Sequence, residues 1–176
     1  MTEISAQMVK ELRERTGAGV KECKDILSQT DGNMNKAIEL LRERGLKVSD
    51  KVKDRDAKEG RIEIYVHNGA RMAAMIELSC ETDFVARTPE FIQLAKDIAM
   101  HVAAVNPKYI NPEQVSDEEV AASGLTAAKH YEEVVLLKQA YVRNPSQTIE
   151  DMIQAAVAKL RENIVIRRFT RYEIGG

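Results

Sequence analysis

The chain has 176 residues, and its 26 lysines and arginines against 28 aspartates and glutamates leave a formal net charge of −2. That balance argues against a nucleic-acid binder, because phosphate binding draws on an excess of lysine and arginine. No stretch approaches the roughly 18 consecutive apolar residues of a membrane span. The start, Met1-Thr2-Glu3-Ile4, has neither the basic and apolar segments of a secretory signal nor an Arg-rich leader, so the expected location is the cytoplasm. Cys23 and Cys80 stand far apart and read as reduced thiols, and His67, His101 and His130 are scattered. No metal-ligand spacing results, and no metal or cofactor is expected. The length allows one medium domain, or a small module beside a larger one.

Residues 1–45 read as a compact three-helix unit. Ser5 is a good N-cap, and Ile4 with Val9 fits the hydrophobic staple. Met8, Val9 and Leu12 follow helical spacing until Thr16-Gly17-Ala18-Gly19 breaks the helix. Val20, Cys23, Ile26 and Leu27 mark a second helix. After the Asp31-Gly32-Asn33 turn, Met34, Ala37, Ile38 and Leu41 mark a third at i, i+3, i+4, i+7. Gly45 stands where a left-handed stop belongs. The pattern resembles a ubiquitin-associated (UBA-like) domain, a type that usually binds proteins. Residues 46–60 are densely charged with both signs alternating, and read as an exposed linker with some helix.

Residues 61–176 read as an α+β core. Arg61 to His67 alternates, with Ile62, Ile64 and Val66 on one face, and Met72, Ala74, Ile76, Leu78 and Cys80 alternate beyond the Asn68-Gly69 turn signal. A two-residue loop would pair Val66 with Arg71. A three-residue loop would put both apolar sets on one face, and this odd-length loop with a glycine bulge is the expected one. Thr88-Pro89-Glu90 opens a helix whose stripe is Phe91, Leu94, Ala95, Ile98, Ala99 and Val102. Ser116 to Glu119 predicts a helix start with a capping box, and Ala127 to Leu137 more helix. Arg143-Asn144-Pro145-Ser146 reads as a loop. Thr148 with Asp151 caps a last helix, and Asn163 to Ile174 reads as a strand whose alternation slips between Ile166 and Phe169, as a bulge would make it. The whole is a small three-stranded antiparallel sheet packed with helices. One face of so small a sheet is available to a second subunit.

Signs of catalysis are few. There is no phosphate-binding Gly-Lys-Ser/Thr loop, no nucleophile elbow and no His-Glu-x-x-His helix. Glu77, Glu81 and Asp83 gather near one turn without a nearby histidine or lysine, so a solvated turn is favoured over a catalytic pair. Phe84 stands out as an aromatic in a connection where exposure is expected, flanked by an acid, as in a protein-contact anchor. The competing reading folds Phe84 back as a core plug.

Four segments carry a resemblance. Leu12-Arg13-Glu14-Arg15-Thr16-Gly17-Ala18-Gly19 with Cys23-Lys24, and Cys80-Glu81-Thr82-Asp83-Phe84-Val85-Ala86, look like two signatures of bacterial elongation factor Ts. Ala99-Met100-His101-Val102-Ala103-Ala104 and Asn163-Ile164-Val165-Ile166-Arg167-Arg168-Phe169 match two further segments, and Val134 to Leu137 with Gln139 is a weaker fifth. Together they run from residue 2 to about 175 in the family's order.

The resemblance implies a guanine nucleotide exchange factor, not an enzyme, acting on elongation factor Tu in the GDP form. It implies that Thr82, Asp83, Phe84 and Val85 press on the partner's G domain near its magnesium site. Phe84 would be the wedge and Asp83 would help to dislocate the metal. It places His101 on the phosphate-loop side, against a competing reading as a core histidine. Lys10, Arg13 and Val20 would meet a helix of the G domain, against a solvated face and a core valine. One strand–strand–helix–strand unit marks a short form, compressed around residues 113–128, for which a homodimer is expected. Lys21 stands where many relatives are apolar. A UBA-like adaptor without exchange activity would account for residues 2–45 but not for the Phe84 segment. A small enzyme would need a pocket of perturbed acids.

Overall fold

The computed structural model describes residues 4–176, so the first three residues of the expected 1–45 module lie outside the described residues. The helices are α1 (Ala6–Thr16), α2 (Val20–Gln29), α3 (Met34–Val52), α4 (Asp83–Ala86), α5 (Pro89–Val105), α6 (Asp117–Ser123), α7 (Ala127–Val134) and α8 (Ile149–Leu160). The strands are β1 (Glu59–Val66), β2 (Met72–Cys80), β3 (Ala140–Tyr141), β4 (Asn144–Thr148) and β5 (Val165–Glu173).

The local signals of the first helices hold. Ser5 Oγ accepts the Met8 N–H at 3.2 Å, and Gly17 ends α1 at φ 69° with its N–H bonded to the Arg13 carbonyl. Asn33 Oδ1 accepts the Lys36 N–H at 3.1 Å and opens α3. Leu12, Cys23, Ile26, Leu27, Ala37 and Leu41 form one small core, against which Ile4 and Val9 both pack.

The expected stop at Gly45 is absent. Gly45 is buried inside α3, has no left-handed φ, and lies where α3 packs on α8. An added Cβ would come 3.8 Å from the Gln154 Cβ. The helical period continues through Leu41, Gly45, Val48 and Val52, with the charges of residues 46–53 on the other face. A glycine inside a helix costs only about 1 kcal/mol relative to alanine, and packing overrides it. The segment expected as a linker is therefore helical to Val52. Val48 and Val52 enter the main core, whereas Ala37 and Leu41 enter the small one, so α3 is a single strut through both. Arg42 pairs with Asp151 at 3.1 Å, and the Asn144 side chain donates to the Glu14 carbonyl at 3.2 Å, adding ties between the two parts.

The main sheet runs β1-β2-β5, all antiparallel. Its inner face meets α5, where Ala74, Ile76 and Leu78 bury against Phe91, Leu94, Ala95, Ile98 and Val102. The β1–β2 loop is neither of the two weighed in the sequence. The His67 N–H bonds to the Met72 carbonyl, enclosing the four residues 68–71, with Gly69 and Ala70 left-handed. This register sets Val66 opposite Ala73 and Ile64 opposite Met75. It turns Ile62, Ile64 and Val66 outward, while Tyr65 packs on the main core. The rule that register follows the buried face misled here because both faces of β1–β2 carry apolar side chains.

β5 carries the expected bulge. Glu77 pairs with Arg168 and Leu78 with Ile166, leaving Arg167 as the extra residue, whose guanidinium donates to the Ala57 carbonyl at 2.8 Å. Thr148 and Asp151 form the predicted capping box of α8. Ser116 caps α6, but the Glu119 carboxylate goes to the Tyr109 hydroxyl at 2.6 Å. Helix α7 ends at Val134, ahead of a short 3-10 turn at Leu136–Lys138. The expected 143–146 loop is partly strand, since β4 begins at Asn144 and pairs with β3.

Candidate functional site

The Cys80–Arg87 segment joins β2 to α5 through one helical turn. Thr82 caps that turn in extended conformation, its Oγ1 accepting the Val85 N–H at 3.3 Å. Thr88 opens the next helix, donating to the Val85 carbonyl at 2.8 Å and accepting the Phe91 N–H at 3.3 Å. The turn has two sides. Val85 and Ala86 bury in the main core and anchor it. Asp83, Phe84 and Arg87 face outward, Asp83 and Arg87 pairing at 2.7 Å. Phe84 is 78% exposed, so the core-plug reading is excluded. A phenyl ring in water at a tightly capped turn costs hydrophobic free energy that a partner's apolar pocket would recover.

The base of the turn is held by residues far away in sequence. The Glu162 carboxylate accepts from the Glu81 N–H at 3.0 Å, the Thr82 N–H at 3.1 Å and the Thr82 hydroxyl at 2.6 Å. Glu81 accepts the Asn163 N–H at 2.7 Å and pairs with Arg55 at 3.6 Å. The Asn163 side chain donates to the Lys53 and Arg55 carbonyls, tying the exit of α3 to the same point. The Cys80 thiol donates to the Thr82 carbonyl at 3.1 Å. Burial, then the nearby Glu162 charge, push that thiol up to about 11, so it stays a protonated donor. Sequence reasoning missed Glu162 and Arg55. Spacing cannot relate residues some 80 positions apart, and the only signal was that Asn163 opens one of the recognised segments.

The three acids near this turn do not form a catalytic pair. Glu77 pairs with Arg168 at 2.6 Å, Glu81 with Arg55, and Asp83 with Arg87. Each carboxylate has its own cation, which leaves none placed to share a proton.

The N-terminal residues lie on a separate exposed surface. Lys10 and Arg13 are exposed on α1, with Lys10 3.8 Å from Glu14. Val20 is the first residue of α2 and 57% exposed, so it is not a core valine. Lys21 beside it is exposed as well.

His101 lies in the core rather than on the exposed surfaces. It is fully buried, one turn on from Ile98 along the apolar stripe of α5. Its Nδ1 accepts the Val142 N–H at 3.2 Å, so the ring proton sits on Nε2, 3.0 Å from the Gln139 Oε1 that accepts it. Gln139 in turn donates to the Glu133 carbonyl at 2.8 Å. Burial lowers the His101 pKa and outweighs the opposing hydrogen bond, so the ring is neutral. Both nitrogens of His101 are therefore engaged inside the core of this chain.

Among the described residues, no group of three or more His, Cys, Asp or Glu is placed to hold a metal ion. No helix among them is long and apolar enough to cross a membrane.

Comparison with known proteins covers nearly the whole chain. The sequence model of the family described as Elongation factor TS matches residues 2–127 and 123–176. The chain is 48% identical to Elongation factor Ts of Herpetosiphon aurantiacus, covering 98% of each. It is 46% identical to Elongation factor Ts of Desulfitobacterium hafniense, over 99% of this chain and 91% of that one. It is 44% identical to that of Syntrophus aciditrophicus, over 98% and 96%. The first alignment spans 194 positions, so it contains places where the relative has residues that this chain lacks. The four sequence segments and these full-length matches agree: the chain belongs to the elongation factor Ts family.

Proposed function

We propose that the chain is a guanine nucleotide exchange factor for elongation factor Tu, acting in translation elongation in the cytoplasm. The observation that carries this reading is Phe84, 78% exposed at the tip of a turn whose base is hydrogen-bonded and whose other side is buried. Held this way, the ring enters a pocket between helices of the partner with little ordering cost. Packed helices yield by discrete shifts, and a shift beside the partner's magnesium ion weakens the charge that holds the diphosphate. Asp83 adds a negative charge to that contact, Thr82 shapes the turn, and Val85 anchors it. Whatever the factor does to nucleotide affinity, nucleotide does equally to the factor, so incoming GTP releases it. No covalent step, cofactor or direct nucleic-acid contact is part of this cycle.

The UBA-like unit of residues 1–45 supplies a second docking surface through Lys10, Arg13 and Val20, residues 46–60 connect, and residues 61–176 carry the Phe84 turn and the dimer contact. A homodimer is supported by the outer face of the sheet, where Ile62, Ile64, Val66, Met75 and Tyr172 are all exposed. So apolar a patch is unusual on a monomer, and a second copy laid face to face would cover it.

Release of labelled GDP from elongation factor Tu tests the reading. Burying a phenylalanine side chain contributes about 1.5–3 kcal/mol, so Phe84→Ala is expected to slow catalysed release by about 10- to 150-fold. Its stability should stay within about 0.5 kcal/mol of the parent, because the ring is exposed. An unchanged rate of release refutes the wedge.

A further inference from the structure

Thr82, the cap of the Phe84 turn, is held from outside its own segment by the Glu162 side chain. Glu162 leaves α8 immediately after Arg161, which adopts a left-handed φ of 62° and turns the chain out of the helix. The half-buried Glu162 carboxylate then receives three hydrogen bonds, from the Glu81 N–H, the Thr82 N–H and the Thr82 hydroxyl. Thr82 is the cap of the turn that bears Phe84. The next residue, Asn163, fastens Glu81 and the end of α3 to the same place. Two of the recognised segments, distant in sequence, thus meet through the neighbouring carboxylates of Glu162 and Glu81.

We propose that Glu162 is a positioning residue for exchange: it orders the Thr82 turn so that Phe84 is presented in one orientation before the partner arrives. This rests on the reading of Phe84 as the partner-contacting aromatic. The physical argument is pre-organisation. A carboxylate bound to three donors is among the stronger non-covalent clamps, and a turn ordered beforehand does not spend binding energy on being ordered. Glutamine at this position has one oxygen instead of two and no charge: with that oxygen on the two backbone N–H groups that Oε2 serves, its amide donor replaces Oε1 as the acceptor of the Thr82 hydroxyl. Glu162→Gln therefore loosens the turn without changing its size.

The test is a double-mutant cycle on the full-length protein, read as catalysed GDP release from elongation factor Tu. Glu162→Gln is expected to lower exchange efficiency by about tenfold, equivalent to about 1.4 kcal/mol. In the Phe84→Ala background the same change should alter exchange by less than about twofold, because the group being positioned is gone. A residue that merely supports the fold would lower exchange by the same factor in both backgrounds, and that result overturns the proposal. Hydrogen exchange at the amides of Glu81 and Thr82 should accelerate in Glu162→Gln, and unchanged protection there also overturns it. Should Glu162→Gln fail to fold, Thr82→Val removes the 2.6 Å hydroxyl contact to Glu162 together with the cap on the Val85 N–H, both of which order the turn, and carries the same cycle. Slowed exchange in Phe84→Ala beside parental exchange in Glu162→Gln refutes the positioning role alone. Parental exchange in Phe84→Ala refutes the reading of Phe84 and, with it, this proposal.

Discussion

Replacing Gly45 with alanine tests whether α3 is one rod through both cores. In the structure Gly45 lies in a helix interior, where glycine is about 0.5–1 kcal/mol less favourable than alanine. The added methyl would meet the Gln154 Cβ and carbonyl oxygen at 3.8 Å, an ordinary van der Waals distance, so no clash offsets that gain. Gly45→Ala should raise the unfolding free energy by about 0.5–1 kcal/mol. For a chain of this size the melting temperature should rise by about 1–4 °C. Urea titration followed by circular dichroism measures it, with an unchanged slope as the sign that only stability moved. Were Gly45 a left-handed stop, as its sequence context indicates, alanine would cost about 1–2 kcal/mol instead. Destabilisation of that size refutes the continuous helix and the rigid joining of the N-terminal unit to the core.

Three further outcomes are expected. Ile64, 60% exposed on the outer sheet face, should tolerate lysine in the folded chain, but a charge there should dissociate the proposed dimer in sedimentation; a parent protein that is already monomeric at working concentration refutes the dimer. Gly60→Ala should destabilise by at least about 2 kcal/mol in denaturant titration, because Gly60 holds φ 145° and its Cβ would collide with the Leu78 carbonyl and Ser79 Cα; a neutral result contradicts the β1–β2 register. Burial raises the pKa values of Cys23, Cys80 and Tyr141, Cys80 to about 11. The unfolded chain then loses these protons first as pH rises, so unfolding free energy should fall from about pH 9 towards pH 11, and constant or rising stability across that window refutes the burial of these groups.

Much of the fold was legible because its signals are local. Ser5, Asn33, Thr88, Ser116 and Thr148 cap helices where the sequence places caps, since a side-chain oxygen one residue before a helix has the same orphan amides to serve whatever surrounds it. The Arg167 bulge showed as a slip in alternation for the same reason. Failures occurred where a local signal competed with packing. Gly45 reads as a stop in isolation, but α8 supplies a surface on which the helix continues. The hairpin register was decided by two apolar faces, and the sequence offers no measure of which one α5 covers. His101 sits at a helical spacing that serves core and surface equally well, and only the position of Gln139 and Val142 settles it.

By itself, then, the sequence determined the order of the main helices and of the three strands of the larger sheet, most of the helix caps and the segments that resemble elongation factor Ts, all of which depend on neighbours within a few residues. The exposure of Phe84 and its bracing by Glu162 were decided only by tertiary structure. They depend on bringing the end of α8 against the end of β2, a contact between residues some 80 positions apart that no local spacing encodes.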